Sequence, residues 1–134
     1  MTERTASCAC GQLRVTCEGE PLRISICHCL ACQKRTGAPF SMNARFAKEA
    51  VRIEGESKSF QRKGDSGTTL TFRFCPHCGS TLYWDLSSVP GLFAVAVGAF
   101  ADPQFPAPRV SVYGKRRHHW VDLDGLLPGI EHLD

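Results

Sequence analysis

The sequence lacks a long hydrophobic run. Its longest apolar stretch, Leu92 to Phe100, is far shorter than the ~20 residues that a helix needs to span a bilayer. The first residues, MTERTASCACG, contain no apolar core of the kind that a secretory signal requires. We therefore expect a cytoplasmic protein without a membrane partner. Thiols stay reduced in that compartment, so clustered cysteines there indicate metal ligands rather than disulfides.

Helical periodicity is also lacking. No long stretch repeats its apolar residues at helical spacing, whereas several short runs alternate apolar with polar residues. The clearest is residues 69–74, where Leu70, Phe72 and Phe74 alternate with Thr and Arg. The 134 residues predict a single domain, residues 1–134, of mainly β class. Brief helical turns are expected near residues 32–36 and 124–132.

Cysteine, by contrast, is abundant. Seven of the eight cysteines form three clusters: Cys8-x-Cys10, Cys27-x-Cys29-x-x-Cys32 and Cys75-x-x-Cys78. Residues i and i+2 of a strand lie about 6.6–7 Å apart at Cα. A C-x-C pair therefore forms a disulfide poorly, because that bond needs Cβ atoms about 3.5–4.5 Å apart. Both sulfurs can still reach one Zn²⁺ at about 2.3 Å. The spacing therefore indicates zinc.

The seven thiolates divide most simply into four and three. Cys8, Cys10, Cys75 and Cys78 predict a closed site, and Cys27, Cys29 and Cys32 predict a second site with three protein ligands. Closed sites are structural, whereas three ligands with an exchangeable fourth position are typical of catalysis. Two alternatives stay open. In the first alternative, both sites are structural, with His28, His77 or Cys17 as an eighth ligand. In the second, the Cys75-x-x-Cys78 pair is redox-active, although no thioredoxin-like βαβ pattern surrounds it.

Excess charge is small. Seven thiolates and two Zn²⁺ ions together add a formal charge of minus three, which brings the net charge of +3 to zero. No basic stripe with interleaved aromatic residues is visible, so a nucleic-acid partner is not expected. No pattern indicates an oligomeric state.

The cysteine motifs and their surroundings resemble one known family. The segments SCACG (7–11), CHCLACQKRTGAPF (27–40) and FCPHCGSTL (74–82) are similar to the glutathione-dependent formaldehyde-activating enzymes, also called the centromere protein V type. GAFADP (98–103) and HHWVDLDGLLPGIEH (118–132) extend the resemblance over nearly the whole chain. It implies an Mss4-like (β-tent) zinc-binding fold of short antiparallel sheets. It also implies a structural zinc on the four-cysteine group and a second zinc on the three-cysteine group.

The resemblance further implies a carbon–sulfur lyase type of enzyme. Its substrates would be adducts of a low-molecular-weight thiol, such as glutathione, with a small aldehyde, such as formaldehyde. Metal coordination deprotonates a thiol, so a substrate thiol in the open position would be a nucleophilic thiolate. The alternative function is a non-catalytic, zinc-stabilised module that binds a protein or nucleic acid.

Several residues near the cysteine motifs, and one basic run, also have predicted roles. Lys34 and Arg35 follow Cys32 directly and are candidates for stabilising the negative thiolate centre and its bound substrate. His28 is a candidate proton shuttle, because histidine titrates near neutral pH. Cys17 is expected to be a small buried hydrophobic residue. The basic run 115–119 is expected to be a solvated patch on an edge strand, with anion binding as the alternative.

Overall fold

The structure is a computed structural model that describes residues 2–133. Two short helices occur in this part of the chain, α1 (Leu30–Thr36) and α2 (Leu123–Leu126). The strands are β1 (Glu3–Ser7), β2 (Arg14–Glu18), β3 (Arg23–Cys27), β4 (Ser41–Ala47), β5 (Val51–Glu54), β6 (Lys58–Lys63), β7 (Thr69–Phe74), β8 (Thr81–Leu86), β9 (Leu92–Ala96), β10 (Val110–Val112) and β11 (Glu131–Leu133).

The strands form two sheets. The smaller has three antiparallel strands in the order β1-β2-β5, and the larger has eight in the order β11-β10-β3-β4-β9-β8-β7-β6. The prediction of a mainly β protein is confirmed. The large sheet is mixed, however, because β10 pairs in parallel with both β3 and β11. Those pairings join segments that are distant in sequence, and no local turn signal indicates them.

The main core includes Leu13, which directly precedes β2, and the inward side chains of β2. Leu13, Val15 and Cys17 have no exposed surface and pack with Phe46 and Val95. The prediction that Cys17 is a buried hydrophobic residue is confirmed. Burial raises the pKa of Cys17 to about 12, so this thiol is neutral at physiological pH.

Helix α1 has defined ends. Cys29 caps its N-terminus, and Gly37, with φ of +69°, ends it in the left-handed conformation that glycine adopts without strain. The helical turn expected near residues 32–36 is therefore present, and it begins at Leu30. The turn expected over 124–132 is only partly helical, because α2 ends at Leu126 and residues 131–133 form β11.

A glycine allows a close approach between the turn after β5 and the N-terminal part of the chain. Gly55 has φ of +101°, and a Cβ there would collide with the carbonyl oxygen of Gln12. The turn can therefore pass directly against Gln12, next to the first cysteine cluster. No helix among residues 2–133 is both long and apolar enough to cross a membrane.

Candidate metal centres and the adjoining cavity

The first cysteine cluster has the geometry of a closed metal site. The Sγ atoms of Cys8, Cys10, Cys75 and Cys78 all lie within 4.8 Å of one another. The Cys8–Cys10 and Cys10–Cys75 sulfur distances are 3.5 and 3.7 Å. Ligands about 2.3 Å from a tetrahedral Zn²⁺ would stand about 3.8 Å apart, whereas a disulfide requires about 2.05 Å. The four residues therefore fit one tetrahedrally bound ion.

The turn between β7 and β8 prepares Cys75 and Cys78 for ligation. The Gly79 N–H donates to the Cys75 carbonyl at 2.8 Å, which closes the turn. The His77 N–H points at Cys75 Sγ, 3.3 Å away. Hydrogen bonds from the Ser80 side chain and backbone lower the pKa of Cys78 to about 5. This turn therefore favours thiolates before any metal is considered.

Gln12 connects the first cluster to the neighbouring turn. Its side-chain amide donates to Cys75 Sγ at 3.0 Å and to the Glu56 carbonyl at 2.8 Å. Its amide oxygen accepts a hydrogen bond from the Glu56 N–H at 2.8 Å. Nothing in the sequence identified this residue, because a lone glutamine carries no metal-binding signal.

We expect Gln12→Ala to weaken metal binding at the first cluster by about 10- to 100-fold, as is typical when a partner of a ligand is removed. Competition with a chromogenic chelator measures this affinity. Gln61→Ala is the control, because the Gln61 side chain donates to Thr71 on the exposed β6–β7 ladder and does not line the cavity. Equal zinc affinity in Gln12→Ala and wild type would contradict a supporting role.

The second cluster is built from one short segment. Cys27 ends β3, Cys29 caps α1 and Cys32 lies in its first turn. Their sulfurs lie within 4.8 Å of one another, with Cys27 and Cys32 3.5 Å apart. Hydrogen bonding with Cys27 and then Cys29 lowers the pKa of Cys32, and bonding with Cys29 and then Cys32 raises the pKa of Cys27. Three convergent thiols that share protons in this way fit a metal ion.

No fourth side chain joins this second cluster among residues 2–133. Of the three proposed eighth ligands, Cys17 is in the main core. His77 has a largely exposed ring 3.3 Å from a Glu56 carboxylate oxygen. His28 is fully buried, edge-on to Phe40 with ring centroids 6.0 Å apart. Its role as a proton shuttle stays a prediction.

Two arginines accompany the second cluster. The Arg35 guanidinium lies 4.5 Å from the Trp84 ring centroid and 4.9 Å from that of Phe72. Burial lowers the pKa of Arg35, and the negative charge of Cys32 opposes this effect. Arg62, which sequence reasoning missed, places Nη2 4.0 Å from Cys32 Sγ. Lys34 is exposed on the helix and does not line the adjoining cavity.

A cavity of about 500 Å³ opens beside the second cluster. All three cysteines line it, together with apolar side chains from β7 and β8 that include Leu70, Phe72 and Trp84. The cavity is large enough for a small organic molecule. The three-cysteine cluster therefore faces space that a ligand can enter, whereas the four-cysteine cluster is closed by its own ligands.

Tyr113 is a further residue that the sequence did not identify. It lines the cavity with Cys27 and Cys29 and has φ of +56° and ψ of +40°, a left-handed conformation that is uncommon for a bulky residue. Burial, then the charges of Asp65, Cys27 and Cys29, raise the pKa of its hydroxyl. The phenol is therefore a neutral hydrogen-bond donor near the thiols.

The basic run 115–119 is exposed, as expected of a solvated patch. It is not on an edge strand, which corrects that part of the expectation. Residues Gly114–Arg116 form a 3₁₀-helix, and Arg116 lines the cavity. Gln33 of α1 holds this segment, because its side chain donates to the Arg116 carbonyl at 3.0 Å and lies 2.9 Å from His118 Nε2. The segment therefore packs against α1, next to the second cluster.

Comparisons with known proteins relate the chain to one family and to one solved structure. A family model described as "Glutathione-dependent formaldehyde-activating enzyme" matches residues 3–116. No curated protein matches the chain at a significant level. A crystal structure of a Rhodobacter sphaeroides protein is 17% identical, covers 96% of this chain and 99% of its own, and gives a TM-score of 0.56. At this identity the likeness concerns the fold.

Proposed function

Because the chain belongs to the glutathione-dependent formaldehyde-activating enzyme family, we propose that it is a zinc enzyme of the carbon–sulfur lyase type. Its substrates would be adducts of a low-molecular-weight thiol, such as glutathione, with a small aldehyde, such as formaldehyde. The observation that carries this proposal is the three-cysteine cluster, which brings three candidate ligands together and lines a cavity of about 500 Å³. A site of this form leaves a position for a substrate.

Each chain would hold two Zn²⁺ ions with different roles. Cys8, Cys10, Cys75 and Cys78 would hold a structural ion, and Cys27, Cys29 and Cys32 a catalytic one. The catalytic ion would keep the substrate thiol deprotonated, and therefore nucleophilic, at neutral pH. The free thiols of all eight cysteines suit a reducing compartment such as the cytoplasm, and we take residues 1–134 as one domain.

Arginines would balance the charge of the thiolate centre. Three protein thiolates and one substrate thiolate around Zn²⁺ leave a formal charge of minus two. Arg35 and Arg62 supply two positive charges beside Cys32. Trp84 and Phe72 hold Arg35 in place through cation–π contacts. Of the two cations predicted from the sequence, Arg35 is therefore the one that we assign to the site, and Lys34 is on the solvent side.

Tyr113 would act on the aldehyde oxygen. As the sulfur–carbon bond forms, the carbonyl π electrons move to oxygen, which gains negative charge and needs a proton. The neutral Tyr113 hydroxyl is a donor on the cavity wall next to Cys27 and Cys29. In the lyase direction the phenolate takes the proton back as the same bond breaks. His28 remains a prediction for relaying protons behind the cysteines.

The function is tested by the rate at which glutathione and formaldehyde exchange with their adduct, measured by NMR exchange spectroscopy. We expect the zinc-loaded protein to raise this rate in proportion to its concentration. A rate equal to that of the buffer at every protein concentration would contradict an enzyme of this type.

In the same assay, we expect Tyr113→Phe to lower the rate by about 100-fold, the usual order of effect for a lost general acid. Zinc content should not change, because Tyr113 is not a ligand. Tyr83→Phe is the matched control, since Tyr83 is buried against Phe93 outside the cavity. A wild-type rate in Tyr113→Phe would contradict the role given to this hydroxyl.

A further inference from the structure

A strip of polar residues leads away from the second cluster along the cavity floor. Strands β3 and β4 pair in a register that places Arg23 opposite Arg45, Ser25 opposite Asn43 and Cys27 opposite Ser41. All six residues line the cavity. The intervening side chains, such as Ile24 and Ala44, are buried in the core on the other face. The strip therefore has cysteine at one end and an arginine pair at the other.

The arginine pair has no counter-ion in the part of the chain that the structure describes. Within residues 2–133, no ion pair and no side-chain hydrogen bond reaches either guanidinium, and Nε of both Arg23 and Arg45 is buried without a partner. Like charges directly opposite on paired strands are destabilising, and buried donors without partners add to that cost. Burial, and then Arg23, lowers the pKa of Arg45. The fold thus carries an unfavourable pair that a bound anion would relieve.

The other charges of the cavity do not compensate this pair. Arg35 and Arg62 lie beside Cys32, so they are matched by the thiolate cluster. Arg116, which also lines the cavity, is a further cation. Asp65, the one carboxylate residue on the lining among residues 2–133, is close enough to Tyr113 to raise the pKa of its hydroxyl. The end of the cavity at Arg23 and Arg45 therefore keeps an excess of positive charge.

We propose that Arg23 and Arg45 form an oxyanion-binding subsite that holds a carboxylate or phosphate group at the far end of the thiol substrate. The thiol end of this assignment rests on the proposed function. Guanidinium groups bind either oxyanion through paired hydrogen bonds. Arg23 stands four residues from Cys27 on one strand, which is about 13 Å. The site therefore selects elongated thiols that carry an oxyanion over short neutral ones such as 2-mercaptoethanol.

The subsite is tested by calorimetric titration with two probes that present no thiol, S-methylglutathione and inorganic phosphate. We expect at least one of them to bind the wild-type protein, and Arg23→Gln or Arg45→Gln to weaken that binding by about tenfold or more. Arg109→Gln is the control, because Arg109 is exposed and outside the cavity lining and its loss changes the net charge equally. The affinity of this control variant for the probe should stay within about twofold of that of wild type.

The same variants separate a binding role from a structural one. Removing one of two opposed, unpaired charges should leave the melting temperature equal to or above that of wild type, whereas a residue that supports the fold would lower it. The probe whose binding the arginine substitutions weaken identifies the oxyanion. S-methylglutathione would identify a carboxylate, and inorganic phosphate a phosphate group. Absence of binding by both probes, or equal binding by Arg45→Gln and wild type, would overturn the subsite. Neither probe needs turnover, so this outcome is independent of the thiol–aldehyde assay.

Discussion

Cys78→Ser is expected to lower the melting temperature by more than about 10 °C and to remove about one zinc ion per chain. Cys78 and Cys75 belong to the β7–β8 turn, and their partners Cys8 and Cys10 follow β1, so an ion held by all four would tie together segments that lie 65 residues apart. Structural zinc stabilises small peptides by about 10 kcal/mol. A loss of only a third of that, at about 3–4 °C per kcal/mol for this chain length, gives the expected shift. Calorimetry and metal analysis measure both quantities.

Cys17→Ala provides the matched control for the loss of a cysteine. Cys17 is as buried as Cys75, but its thiol belongs to neither sulfur cluster. We expect this variant to keep both ions and to lose only about 1 kcal/mol from the free energy of unfolding, the cost of a small core truncation. If Cys78→Ser melted no earlier than Cys17→Ala, the ion at the four-cysteine cluster would not be structural.

The division of the cysteines is the part of the site that the sequence predicted best. Short-range spacing determines which neighbouring sulfurs can converge, because C-x-C and C-x-x-C segments allow few geometries. Dividing seven sulfurs into four and three then joins the two pairs. The two sulfur clusters therefore have the membership that spacing indicated. Strands with alternating apolar and polar residues were equally predictable from the sequence, as the buried Leu70 and Phe72 of β7 show.

The cavity could not be predicted in the same way, because distant segments assemble it. Arg62 is on β6, an exposed edge strand whose charged residues resemble an ordinary solvent face. Arg23 and Arg45 meet only through the register of β3 with β4. Tyr113 reaches the cysteines because β10 pairs in parallel with β3, a long-range contact without a sequence signal.

Helical phase explains why one of two adjacent cations belongs to the site. Arg35 lies three residues after Cys32 on α1 and shares its face, whereas Lys34 lies two residues after it and points elsewhere. The sequence predicted a helical turn over residues 32–36, and the observed α1 contains that turn. Sequence reasoning kept both cations as candidates, because it considered only that they follow Cys32 directly and not the helix face that each occupies.

Cys29→Ser is expected to lower the rate of the thiol–aldehyde reaction by at least about 100-fold, while the protein keeps its fold. The reason is that Cys29 has two separable roles. It is a candidate metal ligand, and it also caps α1, with its sulfur accepting a hydrogen bond from the Cys32 N–H at 3.3 Å. Serine is among the preferred N-cap residues, so the helix should begin at the same place. A neutral hydroxyl is a far weaker zinc ligand than a thiolate, so about one ion per chain should be lost.

Cys29→Ala separates these two roles. It removes the ligand and the cap together, and loss of an N-cap costs about 1 kcal/mol. Its melting temperature should therefore lie a few degrees below that of Cys29→Ser, while zinc content and activity are equally reduced in the two variants. Global unfolding of Cys29→Ser would mean that the second ion supports the fold, the role that we propose for the first. Full activity with one ion lost would mean that the reaction takes place elsewhere in the molecule.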